Sequence, residues 1–353
     1  MAIPDLLNRL LTAPGPSGHE EAPARIWREA AAKLGEVTVD AMGSSIVRVG
    51  DAGAPLLAVI GHIDEVGIIV THIDERGFVS FRRVGGFDVE VLLGQRVQLL
   101  TRNGPLAGVI ARSRLATNIR KPDKNESPKV EDLHIDIGAH NWDEARALVR
   151  AGDVGVVAVE PLELHGGRIA SRSLDNRVGS YAALEVARLV AESGTGWQVA
   201  AVAAAQEELG GHGARTAIFE LQPTVAIVFD VTWATDIPGA DPKDDGDHAL
   251  GSGPAILRGP TMNPRLSDAL IETAEAEGIP YTIEVSGGPT YSDADVVHLS
   301  RAGIVTALVS IPLRYMHSAI ETVELADVEA CARLVAAFAG RVQPGTSFAR
   351  GQS

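Results

Sequence analysis

Val199-Ala200-Ala201-Val202-Ala203-Ala204-Ala205-Gln206-Glu207-Glu208-Leu209-Gly210-Gly211-His212-Gly213 sets an apolar, β-compatible run against two adjacent acids and a pair of glycines. A short apolar run of this kind fits a strand buried on both faces of a parallel sheet. Open α/β sheets take their ligands beyond the carboxyl ends of such strands. Glu207 and Glu208 stand at that end. Two neighbouring acids there can divide the work, one holding a metal and the other moving a proton. The same pair would also suit the first turn of a helix, where the helix dipole favours acids. What decides between these readings is whether other parts of the chain bring partners to the same sheet edge.

Three further strands end in residues that can bind metal. Leu56–Ile60 runs into His62-Ile63-Asp64, Val225–Phe229 ends at Asp230, and Val305–Ile311 leads through Pro312 to Met316 and then His317. The loop from Ser171 to Arg177 places Asp175 just before a helix. Singly, each has an ordinary explanation. A histidine near a strand end can be a hydrogen-bonded structural residue. Asp175 can cap a helix, and Asp230 can serve a turn. Together they bring two histidines and several carboxylates to one edge of one sheet. Nitrogen and oxygen ligands without sulfur suit zinc, manganese or cobalt. A carboxylate shared by two ions is how a two-metal hydrolase is built. His72, His134 and His140 lack acidic company of this type, and His212 is at most an outer neighbour of the acid pair. The chain contains no His-Glu-x-x-His, no Gly-x-Ser-x-Gly elbow and no Walker A loop.

The surrounding pattern predicts an α/β fold. Helical periodicity covers residues 5–13, 20–34, 178–192, 213–219, 264–278, 292–302 and 325–339. Strand-like runs cover 37–40, 45–49, 55–60, 199–204, 225–229, 281–285 and 305–311. Such alternation implies a mostly parallel sheet with helices on both faces. Residues 67–165 have another texture. Polar and apolar residues alternate there, glycines are frequent, and 118–132 reads as a polar loop. We read this stretch as a smaller β-rich domain inserted into a discontinuous catalytic domain of residues 1–66 and 166–353. The tail after Gln343 is expected to be loose.

Composition narrows the function classes. The chain has 353 residues, 45% of them hydrophobic, enough for about two domains. A net charge of −15 with no basic run argues against nucleic acid or an anionic membrane as partner. Cys331 is the only cysteine, so there is no internal disulfide framework and no thiolate metal cage. Its apolar helical surroundings mark it as a core residue. No basic-then-apolar leader and no membrane-length apolar run is present, which makes the cytoplasm the default location.

Six motifs then combine: Pro14-Gly15-Pro16-Ser17-Gly18, Gly61-His62-Ile63-Asp64-Glu65-Val66-Gly67, Leu174-Asp175-Asn176-Arg177, Gln206-Glu207-Glu208-Leu209-Gly210, Phe229-Asp230-Val231 and Arg314-Tyr315-Met316-His317-Ser318. On these the chain resembles, over nearly its whole length, the M42 family of di-metal aminopeptidases. That family includes the tetrahedral and glutamyl aminopeptidases and members labelled endoglucanase or cellulase M. The resemblance implies a zinc-peptidase-type catalytic domain holding two divalent ions, zinc in the first place, with cobalt or manganese as alternatives. His62, Asp175 and Asp230 would hold one ion, and Asp175, Glu208 and His317 the other. Glu207 would be the general base for a metal-bound hydroxide, and Asp64 would orient His62. The resemblance further implies short peptide substrates trimmed from their N-termini, a PDZ-like insert, and a homo-oligomer, a dodecamer built from dimers.

One segment departs from the family pattern. Where many members carry Gly-Gly-Thr-Asp-Ala, this chain reads Gly287-Gly288-Pro289-Thr290-Tyr291-Ser292-Asp293-Ala294. That puts side-chain specificity in question and leaves the metal site untouched. The rival reading is an endoglucanase or cellulase-type glycoside hydrolase, which would use two carboxylates flanking a sugar. The histidine-containing ligand set and an aromatic content of only 4% disfavour it.

Overall fold

Four parallel strands form the centre of the fold: Gln198–Ala204, Leu56–His62, Val225–Trp233 and Val305–Leu313, side by side in that order. They belong to a computed structural model that describes residues 2–112, 127–343 and 345–348. Their Ala, Val, Ile and Leu side chains are almost wholly buried, as expected for strands covered on both faces. Burying one Val, Leu or Ile side chain stabilises by about 1.5–3 kcal/mol, so these strands are a main source of the driving force. The flanks run the other way. Ser45–Val49 pairs antiparallel with Gln198–Ala204, and Val37–Val39 pairs antiparallel with Ser45–Val49 to close that edge. On the opposite side Ala255–Arg258 pairs antiparallel with Val305–Leu313 and carries Thr282–Val285 parallel to itself. The eight-stranded sheet is therefore mixed, with a parallel centre.

Helices Leu174–Ser193, Pro264–Glu277 and Leu325–Arg341 cover one face, and His212–Leu221 and Ala294–Val297 the other. The Leu174–Ser193 helix lies unusually close to the sheet. A Cβ on Gly61 would stand 2.3 Å from the carbonyl carbon of Gly179, so glycine is required at that crossing. Cys331 is fully buried, in line with its expected core role. No described helix is long and apolar enough to cross a membrane.

Between Gly67 and Val157 the chain builds a separate closed barrel. Its six strands run around in the order Gly67–Ile73, Val79–Val84, Leu133–Asp136, Gly104–Arg112, Arg96–Thr101 and Val154–Val157. Ile68, Val70, Val79, Phe81, Val97, Leu99, Ile110 and Ile135 fill its interior. Most of the polar loop expected at 118–132 lies outside the described residues. A third sheet of three short strands, Leu162–Glu163, Arg168–Ser171 and Glu321–Glu324, lies beyond the barrel in sequence.

Some local expectations change. The helix read at 292–302 is reduced to Ala294–Val297. Asp175 and Asn176 lie inside the first turn of the long helix with non-helical backbone angles.

Candidate metal centre

The carboxyl end of the parallel sheet gathers the proposed ligands. His62 ends its strand with its side chain 1% exposed. Its Nε2 lies 3.1 Å from Asp175 Oδ1, 3.7 Å from Glu207 Oε2 and 3.9 Å from Asp230 Oδ1. His317 reaches the same place from the loop after Val305–Leu313. Its Nε2 lies 3.2 Å from Asp175 Oδ2 and 3.7 Å from Glu208 Oε1. Asp175 thus presents one oxygen to each histidine.

Three groupings bring their ligand atoms within 4.8 Å of one another: His62 with Asp175 and Asp230, Asp175 with Glu208 and His317, and His62 with Glu207 and Glu208. The first two share Asp175. Two buried atoms in the cluster, His62 Nδ1 and Glu208 Oε1, have no hydrogen-bond partner. Orphaned buried polar atoms are uncommon in folded proteins. Converging imidazole nitrogens and carboxylate oxygens with unused lone pairs fit divalent cations of the zinc, cobalt or manganese kind.

Charge points the same way. Burial pushes the Glu207, Glu208 and Asp230 carboxyls well above the ordinary range; neighbouring carboxylates add to the effect and His62 opposes it. Burial also disfavours a charged Asp175, but hydrogen bonds with His317 and His62 outweigh it and hold that carboxyl well below its usual range. Burial opposes protonation of His62, yet Asp175 and Asp64 together raise it. Asp293, fully buried nearby with both oxygens unpartnered, is pushed up to about 7 by burial and then by Asp64. More carboxyl groups converge here than the two histidines can pair with.

The supporting residues come from distant parts of the chain. Asp64 is fully buried and accepts the backbone N–H of Glu207 at 3.0 Å and of Glu208 at 3.2 Å. Its Oδ2 also accepts the Ser17 hydroxyl. Its Oδ1 is 3.3 Å from His62 Nδ1, too poorly aligned for a full hydrogen bond. The Gln206 backbone takes a left-handed φ of 55°, and that of His317 one of 57°, conformations uncommon outside glycine. They turn the acid pair and His317 back over the sheet edge.

Two carboxylates with no role assigned from the sequence prove central. Glu321 accepts the backbone N–H of Asp175 with Oε2 and of His317 with Oε1, each at 3.0 Å. Glu65 accepts Gly15 N–H at 3.0 Å and Arg177 Nη2 at 2.8 Å with Oε1, and Arg172 with Oε2. Arg177 in turn donates to the carbonyls of Ile63, Leu10 and Ala13. This knot ties the Pro14–Gly18 turn and the strand end carrying His62 to the helix carrying Asp175. The barrel also touches the site. A Cβ on Gly85 would stand 3.2 Å from Glu208 Oε2, and one on Gly86 3.3 Å from His317 Nδ1. His212 bonds to the Gln206 side chain at 3.1 Å and joins none of the three ligand groupings.

The chain is similar to known proteins over most of its length. The model of the M42 glutamyl aminopeptidase family matches residues 43–334. A lysyl aminopeptidase of Pyrococcus furiosus is 34% identical over 350 residues, covering 96% of this chain and 97% of that protein. The TET aminopeptidase of a marine sediment Thaumarchaeota archaeon superimposes with a TM-score of 0.90 at 33% identity, covering 96% of either chain. The TET1 peptidase of Pyrococcus horikoshii, which can assemble into a tetrahedron or a large octahedral shell, matches with a TM-score of 0.83 at 31% identity, covering 96% of this chain and 99% of that one.

Proposed function

The chain belongs to the M42 glutamyl aminopeptidase family and is an aminopeptidase, and from that premise we propose that it uses two divalent ions to release N-terminal residues from short peptides. The observation that carries this reading is the placement of Asp175, with one oxygen toward His62 and the other toward His317. His62, Asp175 and Asp230 would hold one ion, and Asp175, Glu208 and His317 the second. Bound there, such ions supply Lewis acidity to the scissile carbonyl and lower the pKa of water.

The chain's own groups supply the rest. Glu207, outside both of these ligand sets, takes the proton from the attacking water and passes it to the leaving amine. Asp64 fixes the backbone on which both glutamates sit and faces the inner nitrogen of His62. Arg172, Arg177 and Glu65 hold the strand end and the helix start in register. A sugar-cleaving pair of carboxylates would have no need of the two histidines, which is why the glycosidase reading ranks second.

We further divide the chain into a catalytic domain of residues 1–66 and 166–353 and an inserted domain of 67–165. The barrel would be the PDZ-like module through which dimers and a dodecamer assemble. The test is direct. Protein stripped by a strong chelator is assayed on a short peptide and on its N-acetylated form, before and after zinc, cobalt or manganese is returned. Cleavage of the free-amine peptide only, and only with metal, supports the reading. Full activity in verified metal-free protein, or equal turnover of the acetylated peptide, refutes it.

A further inference from the structure

An open cavity of about 830 Å³ adjoins the metal centre. Beyond the clustered residues its walls include Leu257, Leu308, Met316, Thr232 and Glu284. No lysine or arginine is among its lining residues. Leaving the cluster aside, two carboxylates face it, Asp295 and Glu284. Asp295 is fully engaged, accepting the N–H groups of Thr290 and Tyr291 and the Thr290 hydroxyl at 2.9–3.0 Å.

Glu284 is not. Its Oε1 accepts the Thr232 hydroxyl at 2.7 Å, while its buried Oε2 makes no hydrogen bond. A buried acceptor without a donor costs about 1–3 kcal/mol, so a donor brought by a ligand would be favoured. Its position is also suggestive. Thr232 lies two residues beyond Asp230 on the same strand face, about 7 Å along the strand. That distance suits the span from a peptide's first Cα to the charged head of a lysine or arginine. Leu257, opposite Glu284 in the strand register, and Leu308 back the cavity wall, and the exposed Val285 beside Glu284 adds aliphatic surface for the stem of such a side chain.

We propose that Glu284 selects peptides whose N-terminal residue carries a long basic side chain, by pairing with its cationic head. This rests on the aminopeptidase reading of the site. An acidic side chain entering the cavity would meet Glu284 with no lysine or arginine among the described residues that line it, and like-charge contact of that kind is how a pocket rejects a competitor.

The test uses the metal-loaded enzyme and reporters carrying lysyl, arginyl, ε-acetyl-lysyl, leucyl and glutamyl residues. Acetylation removes the charge from the ligand and leaves the protein unaltered, so folding does not confound the comparison. Lysyl and arginyl reporters should exceed ε-acetyl-lysyl in kcat/KM by about 10- to 100-fold, the range for a hydrogen bond to a charged group, and glutamyl should be poorest. Glu284→Gln should bring the lysyl to ε-acetyl-lysyl ratio close to one, and Glu284→Lys should shift preference toward glutamyl. Faster cleavage of leucyl or glutamyl than lysyl by the wild type overturns the proposal while aminopeptidase activity stands. So does an unchanged ratio in folded Glu284→Gln. If no reporter is cleaved at all, the aminopeptidase reading fails and this proposal with it.

Discussion

Asp64 accepts the backbone N–H of Glu207 at 3.0 Å from the far side of a 143-residue separation. That bond, with its twin to Glu208, fixes which way each glutamate faces. Glu207 Oε2 is left beside His62, and Glu208 Oε1 beside His317.

The two glutamates should therefore fail differently. Glu207→Gln keeps volume and all proposed ligands, so metal content should stay near wild type. Turnover should fall by about 10²–10⁴-fold, the contribution of general acid–base catalysis. Glu208→Gln removes the charge of a proposed ligand and should lose one ion together with activity. Metal stoichiometry and turnover on both purified variants decide the matter. Metal loss in Glu207→Gln with retention in Glu208→Gln would reverse the roles.

Asp175 and Asp230 should separate in the same assay. Asp175 belongs to two of the ligand groupings and Asp230 to one. Asp175→Ala is expected to lose both ions and Asp230→Ala to lose one. Equal stoichiometry in the two variants would show that Asp175 is not shared.

Glu321 joins none of the three ligand groupings but holds the backbones of Asp175 and His317. Replacing it with Gln exchanges one accepting oxygen for a donor amide. Groups that orient metal ligands typically change affinity by about 10- to 100-fold when mutated. Metal titration followed by activity should show a weaker midpoint with a nearly recovered maximum at saturation. An unchanged midpoint would make Glu321 a packing residue only.

Glu65→Gln should be among the most destabilising single changes in the chain. It removes the charge of the carboxylate that pairs with two buried guanidinium groups, those of Arg172 and Arg177. Breaking a buried pair this way costs about 3–5 kcal/mol. The exposed pair His140–Glu144 is the control. Glu144→Gln should shift thermal unfolding very little, because surface pairs are worth about 0–1 kcal/mol. Thermal unfolding of both variants with metal saturating checks this; equal shifts would contradict it.

Assembly can be measured without mutation. Light scattering should report a mass many times the 37.0 kDa of one chain. A stable and active monomer at micromolar concentration would rule out the proposed dodecamer as the working form.

Much of the centre could be read in the sequence because α/β sheets put the ends of their parallel strands at one edge. His62 closes its strand, Asp230 lies in the last half of its own, Glu207 and Glu208 come within four residues of theirs, and His317 comes four residues after Val305–Leu313. Glu65, although inside the Gly61–Gly67 motif, and Glu321, outside every motif, show no role in the sequence for a physical reason. Their partners are backbone groups and arginines brought near only by the finished fold, and nothing in a local window records that. The strand Ala255–Arg258 and the small sheet strands Arg168–Ser171 and Glu321–Glu324 are four residues each, too short for a period to register. The stretch at 292–302 carries helical spacing, but only Ala294–Val297 forms helix.

Gly85 and Gly86 pass against Glu208 and His317 with no room to spare for a side chain at ordinary contact distance. The barrel is thus no interchangeable cassette. A foreign module grafted in place of the proposed insert, residues 67–165, would have to reproduce that bare glycine ridge as well as the two splice points. Without the ridge, the graft would either jam the carboxylate and the imidazole or leave that flank of the catalytic chamber without a wall.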